Sequence, residues 1–87
     1  MLARLTLDLG DTGSVRAVIF KGRHKWVVQC LEYDIAAQAD SPEELSGKLM
    51  LAVEARVKLA ERQGVGPLTS IPPAPSRYWA MWDAAPS

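Results

Sequence analysis

Apolar and polar side chains alternate over the first nine residues. Met1, Ala3, Leu5, Leu7 and Leu9 fall on one face of an extended chain, and Arg4, Thr6 and Asp8 fall on the other. That period of two predicts a half-buried strand. Residues 10–14 hold two glycines and read as a turn. Residues 15–20 are rich in β-branched side chains and apolar on both faces, which predicts a second strand. Residues 21–25 are polar and form a hairpin tip. Residues 26–33 read as a third strand, with Trp26, Val28 and Cys30 on one face and Val27, Leu31 and Tyr33 on the other. The connections are short, so the three strands form an antiparallel meander. Within residues 26–39 the pattern is a buried strand, a bend and a short further strand that runs into a helix start.

The period then changes. Ser41 stands as a helix cap, Pro42 occupies the first helical position where its missing N–H costs nothing, and Glu44 completes a capping box. Glu43 and Glu44 also suit the positive end of the helix dipole. The helix is expected to end near Gln63, with Arg62 in its last turn and Gly64 as the left-handed residue beyond it. Leu45, Leu49, Ala52, Val53, Leu59 and Ala60 make one stripe that should lie on the sheet. Residues 64–76 contain most of the prolines and can hold at most a short edge strand near residues 68–71. Ser76 is placed to cap a last short helix over residues 77–83. The predicted class is α+β: an antiparallel sheet of three to four strands, one long helix on one face, an optional short strand after it, and a short C-terminal helix. Residues 1–76 form the domain, and residues 77–87 form an aromatic C-terminal segment.

Composition narrows the functional classes. Ten basic and ten acidic side chains cancel to a net charge of zero, so no global field draws in nucleic acid and direct DNA binding is disfavoured. One cysteine, Cys30, excludes an internal disulfide, and with a single histidine, His24, no Cys/His metal cluster or Ser-His-Asp triad stands out. No cofactor or metal is implied. Arg4 and Asp8 interrupt any signal-peptide pattern, and no apolar run approaches membrane-spanning length, so the default location is cytoplasmic. A chain of 87 residues buries a modest share of its surface, and self-association is a common way to complete such a core.

An aromatic and valine strand before Gln29-Cys30-Leu31-Glu32, then Asp34-Ile35, then Ala37-Gln38, precedes the Ser41-Pro42-Glu43-Glu44 helix start and an alanine-rich amphipathic helix. Ile71-Pro72-Pro73-Ala74-Pro75-Ser76 follows the helix. In this order and spacing the chain resembles the HicB-like antitoxin family over roughly residues 15–76. The resemblance implies a βββαβ domain, a partial ribonuclease-H-like fold without nuclease activity. It also implies a role in neutralising a small mRNA-cleaving toxin, HicA, by covering its active site. The chain departs from the family in three ways. Residues 77–87 are too few for the family's DNA-binding module, the first strand is an addition or a lengthening, and Ala39 stands where glycine is usual.

Several residues invite sharper readings. Asp8, Glu32 and Asp34 are carboxylates on or near strands, as a two-metal nuclease would need, but nothing brings Asp8 beside the other two. Solvated strand-end charges are the favoured account. Lys21, Arg23, His24 and Lys25 form a basic tip suited to phosphate or an acidic partner, against the plainer reading of a solubilising turn. His24 reads as a surface imidazole. Cys30 reads as a buried small hydrophobe. Arg56 interrupts the helix stripe, either covering apolar surface with its stem or facing a subunit or toxin. Tyr78, Trp79, Met81 and Trp82 either fold back over the domain's own sheet or dock on another chain.

Because one helix covers only one face of the sheet, an apolar face should remain open. Val27, Leu31, Tyr33, Arg56, Tyr78, Trp79, Met81 and Trp82 are therefore the expected interface, in a homodimer and with a HicA-like toxin. The expected function is binding without catalysis. An orphan self-associating module is the alternative, and a metal-dependent nuclease is the least favoured.

Overall fold

The computed structural model of the chain describes residues 2–10, 13–66 and 68–86. Four strands, β1 (Leu2–Asp8), β2 (Ser14–Lys21), β3 (Trp26–Cys30) and β4 (Ala36–Ala39), precede a long helix, α1 (Leu45–Gln63), and a short helix, α2 (Ser76–Ala84). The sheet runs β1-β2-β3-β4 with every neighbour antiparallel, so this is the α+β meander that the alternation predicts. The short fourth strand is the segment between the bend and the helix. The optional strand after the helix does not form; residues 68–70 are a turn.

Register sorts the side chains by face. Leu5 faces Ala17 and Leu7 faces Val15 across β1 and β2, while Ile19 faces Val28 and Ala17 faces Cys30 across β2 and β3. These residues share the face on which α1 packs. The core there joins Val15, Ala17, Val28, Cys30, Ile35 and Ala39 to Leu45, Leu49 and Val53 of the helix, with Leu68 closing one end. Leu68 takes φ 63°, a left-handed conformation that costs a leucine about 1–2 kcal/mol. Burial of its whole side chain offsets that by about 1.5–3 kcal/mol.

Three local expectations are corrected. First, β3 ends at Cys30, and residues 31–33 turn away from the sheet. The backbone explains the break. The Leu31 N–H still donates to Arg16 O, but the Cys30 N–H donates to Ile35 O across the bend, and the Ile35 N–H donates to Tyr33 O. The proline-rich segment completes this bend. Asp34 N–H donates to Pro72 O at 2.7 Å, and Ala74 N–H, the one backbone donor among residues 72–75, reaches Leu31 O at 2.9 Å.

Second, Ser41 does not cap the helix with its side chain. Pro42–Glu44 is a 3-10 turn in which the Glu44 N–H donates to Ser41 O, and the Ser41 hydroxyl donates to the Glu44 carboxylate at 2.9 Å. Third, Leu59 leaves the core stripe and is 47% exposed, while Val57 packs against the core instead. At ~1.5 Å per residue the 19-residue helix outruns the short strands beneath it. The C-terminal stop is as expected, with Gly64 at φ 70° and Arg62 in the last turn. Among the described residues no helix is long and apolar enough to cross a membrane.

Candidate functional site

The C-terminal aromatic segment folds back on its own sheet, on the face opposite α1. Tyr78 stacks on Phe20 with ring centroids 6.1 Å apart. Arg16 extends its guanidinium between two indoles, 4.9 Å from Trp79 and 5.7 Å from Trp82. Arg4 lies 5.2 Å from the Trp82 ring and donates from Nε to Trp82 O at 2.8 Å. Trp79 Nε1–H donates to Ala74 O at 3.2 Å, which ties the helix to the proline segment. Phe20, Arg16 and Arg4 all project from the same face by register. Docking in cis is therefore what the chain does with these aromatics, and the face expected to stay open is covered over β1 and β2.

That changes the expected interface residue by residue. Leu31 is 0% exposed and offers nothing to a partner. Tyr33 is partly buried against the α1-side core, so it does not share a face with Val27; the bend after Cys30 redirects it. Tyr78, Trp79, Met81 and Trp82 are each half-buried. Val27 remains half-buried at a shallow hollow with Gly22, Arg23, His24, Lys25 and Gln38. Arg56 is exposed and borders a small depression shared with Leu59, Leu68 and Ile71.

The remaining candidates are dispersed. In the basic tip, Lys25 pairs with Asp40, which holds Asp40 below the usual carboxylate range and raises Lys25. Lys21 lies 5.4 Å from the Trp26 ring, and Arg23 and His24 are exposed. The three carboxylates have separate partners. Asp8 Oδ1 accepts from Gly10 N–H, Glu32 accepts from Arg16, and Asp34 Oδ1 accepts from the buried Gln29 amide at 3.0 Å. Among the described residues no three His, Cys, Asp or Glu side chains converge on a metal position. Burial pushes the Cys30 thiol up, so the thiolate is disfavoured.

A larger apolar surface lies elsewhere. A groove of about 510 Å3 runs between α1 and the end of β1, lined by Leu9, Met50, Val53 and Val57, with Glu54, Lys58 and Glu61 along the helix. Its apolar floor continues the core, and two carboxylates against one ammonium make its margin acidic. Beyond it, Leu51 is 63% exposed on the outer side of α1. The sequence carried a signal for this groove. Met50, Glu54, Val57 and Glu61 recur at spacings of four and three, a second seam beside the core stripe. No family model, curated protein or solved structure matches this chain.

Proposed function

We propose that this chain is a non-catalytic protein-interaction domain of the HicB antitoxin type. It neutralises a small, basic, mRNA-cleaving toxin by covering the toxin's active site. The observation that carries the reading is the acidic-margined apolar groove between α1 and β1, whose charge complements a basic partner and whose floor offers Leu9, Met50 and Val57 for burial. The residue order from Gln29 through the helix start, and the proline segment that packs on the bend, support the same reading. The role is cytoplasmic, because mRNA is the toxin's target.

The chain also associates with itself, and a self-associating module without a toxin is the second reading; the seven-residue edge strand β1 favours it. A nuclease role is disfavoured by the separate engagement of Asp8, Glu32 and Asp34. The test is co-expression with a small basic protein encoded beside this gene. Relief of growth arrest and recovery of a complex are expected. Continued growth arrest with no complex would remove the antitoxin reading. RNA incubated with the purified chain and Mg²⁺ should stay intact.

A further inference from the structure

The two edges of the sheet are unequal. β4 is four residues long and lies against α1, whereas β1 spans seven residues, contains no proline and, among the described residues, has no strand on its outer side. An edge of that kind is a template for pairing unless it is blunted. Its outward groups can be assigned. Leu9 N–H donates to Gly13 O at 2.7 Å, and bonded and non-bonded pairs alternate along an antiparallel ladder. Ala3, Leu5 and Leu7 therefore exchange bonds with β2, and Leu2, Arg4, Thr6 and Asp8 direct their backbone groups away from the sheet.

We infer that β1 pairs with β1 of a second copy, antiparallel and centred on Thr6. In that register Arg4 stands opposite Asp8 of the second copy, and by symmetry Asp8 stands opposite its Arg4. Thr6 faces Thr6, and every outward-directed residue from 4 to 8 meets another. Leu5 meets Leu7 on the α1 side, where both are partly exposed in a single copy. The sequence selects this register by charge. Centring on Arg4 sets two guanidinium groups opposite each other, and centring on Leu5 sets Asp8 against Leu2. Arg4 engages Trp82 O through Nε, which leaves its terminal nitrogens for the carboxylate. The inference names the surface for the self-association proposed above and does not depend on a toxin.

The experiment is light scattering across a concentration series with the full chain, Thr6→Pro, Arg4→Asp and Asp8→Arg. The Thr6 N–H points outward, so proline removes a donor that the single copy does not use; its circular dichroism should match the parent. The parent is expected to be a dimer and Thr6→Pro a monomer. Each charge reversal alone should weaken the dimer by about tenfold or more, because two opposed pairs become repulsive. Mixing Arg4→Asp with Asp8→Arg should restore dimers, since that heterodimer regains both ion pairs. A folded Thr6→Pro that dimerises as tightly as the parent overturns the edge pairing while leaving self-association standing. A monomeric parent overturns both. Failure of the mixture to recover dimers overturns the register.

Discussion

Arg16 and Glu32 are joined twice. The Arg16 backbone N–H donates to Oε1 at 2.8 Å, and its Nε donates to Oε2 at 2.7 Å. The same guanidinium lies over the Trp79 ring. One arginine thus links β2, the bend after β3 and the C-terminal helix.

The Glu32 carboxylate is therefore pH-sensitive. Partial burial pushes its pKa up, but the two bonds and the charge from Arg16 outweigh this and hold it below its usual 4.5. A depressed folded pKa means that the unfolded chain binds the proton more readily. The stabilisation is present above about pH 4.5 and is lost as pH falls through the lower folded value. Glu32→Gln should lower the melting temperature at pH 7 by about 4–16 °C, reflecting roughly 1–2 kcal/mol for a part-exposed charged hydrogen bond. The difference from the parent should shrink at pH 3. Thermal melts at both pH values check this.

Trp79→Ala should destabilise the whole domain by roughly 1–3 kcal/mol, because the indole covers sheet surface and stacks on Arg16. If α2 were a detachable tail, deleting residues 76–87 would leave the melt of the remainder unchanged. Chemical denaturation of both variants is the measurement, and a single transition at lower denaturant is expected.

Much of this architecture is legible in the sequence, for identifiable reasons. Strict alternation from Ala3 to Leu9 and the Gly64 stop declare themselves locally, and both match the structure. The course of Tyr33 does not. Whether residue 33 continues a strand depends on Ile35 O capturing the Cys30 N–H, and on the bonds from Asp34 N–H to Pro72 O and from Ala74 N–H to Leu31 O across about forty residues of chain. Leu59 fails for a related reason: helix period gives its direction, but only the length of the sheet decides whether anything lies beneath it. The acidic groove was legible only as a second seam on α1, because β1 supplies its other wall.

Leu31 and Leu51 make a contrasting pair. Leu31→Ala should cost about 2–5 kcal/mol, as for a fully buried leucine. Leu51→Ser, at a side chain 63% exposed, should stay within about 0.5 kcal/mol. Urea denaturation of the two variants separates these cases, and comparable losses would contradict the burial of Leu31 and the exposure of Leu51.

Cys30 should resist alkylation in the folded chain, because its thiol is fully buried and burial disfavours the thiolate. Mass spectrometry after iodoacetamide treatment should show little adduct at pH 8 without denaturant and complete reaction in concentrated guanidinium. Rapid labelling of the folded protein would show that the bend opens readily.

The groove between α1 and β1 is tested most directly by a single binding measurement. The titration is isothermal, of a small basic toxin of the proposed HicA-like kind into the parent chain and into Val57→Lys, which places one positive charge where the proposed partner's basic surface would dock. Val57 is half-buried at the groove, so folding of the variant is confirmed first by circular dichroism. Saturable binding by the parent and a loss of at least about a hundredfold in the variant are expected. Equal binding by the two, or no binding by the parent, would contradict the proposed docking at the groove.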